Sequence, residues 1–331
     1  GAAEDGRAPS AHNPVPRSPL PAPRILHGRA TPCWPMLTPM DSRAWFLLGA
    51  VALATSGCCV GLFAPKSATA RNARSAAKAL VFHAPFDGTA DARVAGGDAR
   101  FQHGDSWEAP RNTRPGLPPG NVVRIDPGAG IRGDALRFDK KITQVVGFRV
   151  PGNFPNPATN GQGTVSFWLR VTPDEDIEPG YADVIQVTSK AWDDAAFFVE
   201  FTKDEKPREM RLGIYADKKV WNPNGRDWNK MSFEEKPLAR VERPGFKRDR
   251  WSHVAFTWER FNTGRPDGAA RLYVDGRPAG GISPREQTFT WDEQKAVIML
   301  GLAYTGWMDD LRIYNRALTP DEVQALHAEM Q

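Results

Sequence analysis

The residues of this chain best equipped for chemistry crowd one polar segment. Trp221-Asn-Pro-Asn-Gly-Arg-Asp-Trp228 sets two indoles beside Asn222, Asn224, Arg226 and Asp227 within eight residues. Flat apolar rings flanked by amide, guanidinium and carboxylate groups suit a sugar, whose ring face stacks while its hydroxyls find donors and acceptors. Trp192 with Asp193-Asp194 repeats that chemistry on a smaller scale. Tryptophans in a long loop can equally well pin the loop to the body, and that reading stays open beside the sugar site.

Catalysis finds less support. Glycoside hydrolysis needs two carboxyl groups, ~5–5.5 Å apart in retaining enzymes. Glu200 stands alone in Phe197-Phe-Val-Glu-Phe201, and the acidic run Asp174-Glu-Asp-Ile-Glu178 follows Pro173 as a solvated turn. Asp309-Asp310 are expected on opposite faces of a strand. No G-x-S-x-G, H-E-x-x-H or phosphate-loop pattern is present. The sequence therefore predicts a non-catalytic protein.

Charge and cysteines narrow the class further. Of 43 basic and 39 acidic residues, six and three lie before residue 71, which leaves 37 and 36 in the body. A nearly neutral body gives no support for nucleic acid as a partner. The three cysteines, Cys33, Cys58 and Cys59, also precede residue 71, so the body has no disulfide and no thiol nucleophile.

Residues 1–39 are proline-rich without apolar periodicity, and read as disordered or as an over-extended gene start. Residues 40–70 have the pattern of an export leader, with Arg43, then an apolar run from Trp45 to Ala54, then small residues. Ala68-Thr-Ala70 suits ordinary cleavage. Thr55-Ser-Gly-Cys58 resembles a bacterial lipoprotein box and would lipidate Cys58, although Thr55 stands where an aliphatic residue is usual. Secretion, lipid attachment and an uncleaved anchor all remain open. Residues 71–79 read as a linker.

From Leu80 short apolar and β-branched runs alternate with Gly, Pro, Asn and Asp clusters, the texture of an all-β domain over 80–331. Strands are expected at 80–86, 135–139, 145–150, 164–171, 182–188, 195–202, 210–216, 252–259, 270–275, 297–301 and 308–314. In Thr164-Val-Ser-Phe-Trp-Leu-Arg170, Val165, Phe167 and Leu169 share one face, and Ser166, Trp168 and Arg170 the other. In the last strand Asp309 is expected to share a face with Leu311 and Ile313, which would bury its carboxyl and demand a partner. His253 lies within a strand and reads as structural. Thr319-Pro-Asp-Glu322 is a capping box that opens one short C-terminal helix. Residues 88–127 form a long wrap, and 217–250 form a polar insert that carries the tryptophan pair.

Several phrases in a fixed order resemble a known family. Phe82-His-Ala-Pro-Phe-Asp-Gly88, Gly133-Asp-Ala-Leu-Arg-Phe138, Thr164–Leu169, Trp251-Ser-His-Val-Ala255, Leu272-Tyr-Val-Asp-Gly276 and Gly306–Leu318 are similar to the laminin-G-like domains of the concanavalin A-like lectin/glucanase superfamily. The resemblance covers about 80–331. It implies a jelly roll, a sandwich of two antiparallel sheets. It also implies a structural calcium held by Asp87 and by Asp309 or Asp310, since calcium collects carboxylate and carbonyl oxygens. Hydrolases of this fold carry alternating acidic residues on one strand, and no such strand is found here. The expected function is an extracellular or cell-surface binding module for glycan or polysaccharide. The alternatives are a protein–protein adhesion or structural module and, less favoured by the residues, a divergent glycoside hydrolase.

Overall fold

The computed structural model describes residues 64–108, 111–155 and 159–331. The leader up to residue 63, with Cys58, lies outside the described residues. Two antiparallel sheets face each other. The first runs from edge to edge through Arg277–Arg285, Gly268–Val274, Ser252–Phe261, Gly161–Arg170, Gly306–Tyr314, Leu80–Ala84 and Val94–Ala95. A side branch, Ala135–Phe138 with Val123–Asp126, pairs onto Gly306–Tyr314. The second runs through Leu238–Val241, Met210–Tyr215, Ala196–Phe201, Ala182–Thr188, Val297–Leu302, Val145–Arg149, Gln102–Gly104 and Thr113–Pro115.

Period-two alternation produces the core. Val165, Phe167 and Leu169 of the first sheet, and Phe197, Val199, Leu212 and Ile214 of the second, point into one buried cluster. Phe197 lies among Trp258, Phe261 and Phe289, with the nearest ring centroid 4.9 Å away. Such interlocked aromatics replace the cross-links that a cysteine-free body lacks.

All eleven expected strands are present, most of them within one to three residues of the expected ends. The wrap is less irregular than expected, because it supplies Val94–Ala95, Gln102–Gly104, Thr113–Pro115 and Val123–Asp126 to the sheet margins. The insert likewise contributes the edge strand Leu238–Val241. Asp275-Gly276 turns the hairpin into Arg277–Arg285, both with positive φ.

Two expectations are corrected. Ala64–Ala77 forms a helix where the sequence suggested the end of a leader and a linker. It packs on the C-terminal helix Pro320–Met330, and Arg316 ties them by bonding the Ser75 carbonyl at 3.1 Å and both carboxylate oxygens of Glu322. The capping box forms as expected, Thr319 accepting from the Glu322 amide and Glu322 from the Thr319 amide. The second correction concerns Asp309. Asp309 pairs with Trp168 but Arg312 pairs with Ser166, so this strand carries one extra residue there. Asp310 absorbs it with φ 51°. The bulge moves Asp309 off the face of Leu311 and Ile313 to the outer side, beside Trp168, while Met308 joins the core.

Candidate functional site

The outer face of the second sheet holds a cavity of about 570 Å³. Such a volume falls within the ordinary range for small-ligand sites. Two segments rise from the sheet on either side. One is the insert, whose Trp221, Trp228 and Phe233 pack over Phe198, Tyr215 and Leu238. The other follows Gln102–Gly104 and brings Trp107, Glu108 and Arg111 to the rim. The sheet between them is the floor.

Three adjacent strands build the polar part of that floor. Glu200 lies opposite Asp183 on one neighbour and opposite Arg211 on the other. A bulge sets the first match: Val199 faces Ile185, yet Glu200 faces Asp183, so Val184 is the extra residue. In unbroken register Glu200 would face Val184, and no carboxyl would stand beside it. Arg211 bonds one Glu200 oxygen through Nε at 2.9 Å and also through a terminal nitrogen. Burial raises the Asp183 pKa well above the ordinary value, and the neighbouring Glu200 charge raises it further. Burial also raises Glu200, against the pull of Arg211. Of the two coupled carboxyls, Asp183 is thus the one pushed further toward its protonated form, while Arg211 favours the charged form of Glu200. Burial opposes the Arg211 charge, but the Glu200 carboxylate outweighs it and keeps that pKa raised.

Aromatic side chains complete the cavity. Trp192 and Tyr181, at 48% and 47% exposure, are the most exposed large apolar side chains among the described residues, and both line it. Trp192 stands edge-on to Tyr215 at 5.8 Å and to Trp228 at 6.0 Å. Phe198 stacks on Tyr215 at 5.4 Å because Gly213 leaves room, since a Cβ there would lie 2.1 Å from the Phe198 ring. Tyr215 is fully buried, and its hydroxyl has no partner.

The predicted sugar residues divide sharply. Trp228 lines this cavity. Trp221 is pinned, its indole donating to the Asp193 carbonyl at 2.8 Å while its ring meets Tyr215 edge-on at 4.9 Å. Asn222 braces the turn by bonding both the amide and the carbonyl of Arg226. Asp227 caps the short helix Trp228–Lys230 by accepting from Asn229, and Arg226 pairs with Glu235. Asn224 is exposed and lies outside the cavity lining. The segment is thus mainly a wall, and the open aromatic surface of the cavity belongs to Trp192 and Tyr181. Sequence spacing could not assemble that floor. Its signal was a lone charge inside each of three apolar strands: Asp183, Glu200 and Arg211.

The three aspartates expected to bind metal do border one small pocket, about 140 Å³, on the first sheet. Asp310 bonds His83 Nε2 at 2.8 Å and Arg312 Nε at 3.1 Å. Asp87 accepts from the Asp134 amide at 3.1 Å and from Arg93 at 3.3 Å. Asp309 accepts from the Ile131 amide at 2.8 Å and from the Asp310 amide at 2.7 Å. Burial lifts the Asp309 pKa to about 8, the amide bonds oppose this, and the charges of Asp310 and Asp87 add to it. Among the described residues, no three His, Cys, Asp or Glu side chains converge as a preformed metal cage.

His253 is fully buried. Its Nε2 lies 2.8 Å from Ser166 Oγ, and burial depresses its pKa to about 3. It is a neutral structural histidine, as the sequence suggested.

The profile of the concanavalin A-like lectin/glucanase superfamily, in its laminin-G-type branch, matches residues 150–324, more than half of the chain. The chain belongs to this superfamily. Solved structures similar to this superfamily member include domain 4 of AbnA, an extracellular GH43 arabinanase from Geobacillus stearothermophilus, in complex with arabinotriose. That match has 16% identity and a TM-score of 0.46, covering 75% of this chain and 98% of the other. A structure of botulinum neurotoxin type C, whose cell entry is described as dependent on two ganglioside molecules, matches at 11% identity and TM-score 0.49, covering 77% and 52%. The serotype D ligand-binding domain with N-acetylneuraminic acid matches at 11% identity and TM-score 0.48, covering 78% and 52%. This chain thus spans about half the length of the toxin chains. At these identities and scores the likenesses carry nothing about ligand.

Proposed function

We propose that this protein is a non-catalytic glycan-binding module that works outside the cell or at its surface. One observation supports this above others: the two most exposed large aromatics, Trp192 and Tyr181, flank a floor of hydrogen-bonding groups in a single cavity. Ring faces would stack on the aromatics, while Asp183, Gln186 and Arg211 offer donors and acceptors to hydroxyls. The leader-like sequence of 40–70 supports the extracellular setting. Hydrolysis is disfavoured because Asp183 and Glu200 hydrogen-bond each other and Arg211 occupies Glu200, which leaves no pair of free carboxyls to serve as acid and nucleophile. A glycan array probed with the purified protein tests the reading, and an array without a single hit counts against it.

A calcium ion is a second reading, and it attaches to Asp309. A buried carboxyl with two like charges nearby gains from a cation or a proton. Asp309 and Asp87 suit calcium's preference for oxygen, whereas Asp310 is already paired with Arg312 and hydrogen-bonded to His83. If calcium binds, chelator lowers the melting temperature and added calcium restores it. An unchanged melting curve, with no metal by elemental analysis, removes this reading.

A further inference from the structure

We propose that the cavity selects an anionic sugar, bearing a carboxylate or a sulfate, and that Arg111 receives the anion. This rests on the glycan reading above and narrows it. Arg111 lines the cavity, and two of its nitrogens are fixed by backbone: Nε donates to the Trp107 carbonyl at 2.8 Å, and one terminal nitrogen to the Lys190 carbonyl at 2.8 Å. The other terminal nitrogen, Nη1, is buried and has no partner. Carbonyl oxygens orient a guanidinium but do not cancel its charge. Burial accordingly pulls the Arg111 pKa down, and Glu108 offsets this only by acting from a distance.

The other cations of the lining are engaged. Lys190 holds Asp217 at 2.7 Å and Asp194 at 3.5 Å, and Arg211 holds Glu200. The lining acids are Glu108, Asp183 and Glu200, against Arg111, Lys190 and Arg211. Lys190 and Arg211 are thus matched by carboxylates in direct contact, whereas the contacts of Arg111 are carbonyls. A buried guanidinium without an anion is costly, and a ligand oxyanion beside it in the cavity would neutralise it. A neutral sugar would leave the charge of Arg111 uncompensated.

The test is calorimetric titration of the whole protein with matched oligosaccharides: a uronic acid oligomer, its carboxyl-reduced neutral form and a sulfated form. The acidic forms should bind about tenfold or more tightly than the neutral one, with an advantage that shrinks as salt is added. The stronger of the two acidic forms identifies the anion. Arg111→Gln should erase the advantage, so that acidic and neutral oligomers bind alike. Arg111→Lys should retain part of it. If Arg111→Gln does not fold, Arg111→Lys and the salt dependence of the wild type carry the test. Equal affinity for neutral and acidic forms, both weakened by Trp192→Ala, would overturn this inference and spare the glycan site. Failure of every sugar to bind, neutral or acidic, would overturn both.

Discussion

Replacing Trp192 with alanine separates recognition from scaffolding more cleanly than any other change. An enclosed indole buries ~150–250 Å², and Trp192 already hides about half of its surface, with 48% exposed. A sugar ring on its free face would then cover about 50 Å², worth ~1.2 kcal/mol at ~25 cal/mol per Å². Such a loss is about an eightfold rise in Kd. Stability should fall less steeply than for a core tryptophan. The ring packing removed is edge-on, at 5.8 Å from Tyr215, 6.0 Å from Trp228 and 6.4 Å from Phe198, and is worth about 1.5–4.5 kcal/mol together. At ~2–4 °C per kcal/mol for a domain of this size, the melting temperature drops by roughly 3–18 °C. Calorimetric titration with the best array hit, paired with thermal unfolding, measures both. A variant that folds and binds with unchanged affinity would refute the stacking argument.

Other outcomes follow from the buried charges. Asp183 has a raised pKa in the fold, so wild-type stability declines as pH climbs from the ordinary 3.8 through that raised value. Asp183→Asn keeps a donor toward Glu200 and cannot ionise; chemical denaturation across that range should show a flatter profile and a more stable variant at the alkaline end. The acid-side counterpart is Glu322, whose carboxylate Arg316 holds at about pKa 2 against an ordinary 4.5. Its contribution is full above 4.5 and disappears as pH falls toward 2. Glu322→Ala should cost about 2 kcal/mol near neutral pH, and the gap to wild type should close in acid; a gap that persists there would show that packing, not charge, sets the cost.

What could be read from sequence was whatever repeats at short range. Alternation of side chains exposed the strands, and Thr319 with Glu322 exposed the helix start, because each pattern lies within a few consecutive residues. The cavity floor was hidden because Asp183, Glu200 and Arg211 become neighbours only through register, and the register itself depends on an extra residue at Val184. The bulge at Asp309-Asp310 misled in the same way, since strict alternation cannot foresee one inserted residue. The insert misled differently. Its tryptophans and amides have the composition of a sugar site, but most of their hydrogen-bonding capacity is taken up by the loop's own backbone and neighbours.

The clasp between Ala64–Ala77 and Pro320–Met330 also fixes an orientation. Both helices rest on the outer side of the first sheet, where Ala76, Tyr273, Tyr314 and Leu326 share a cluster and His327 stacks on Trp168 at 5.5 Å. The cavity opens from the other sheet. The clasp and the cavity thus occupy opposite faces of the sandwich, so a label or an immobilising group placed on the exposed side of either helix would leave the mouth of the cavity clear.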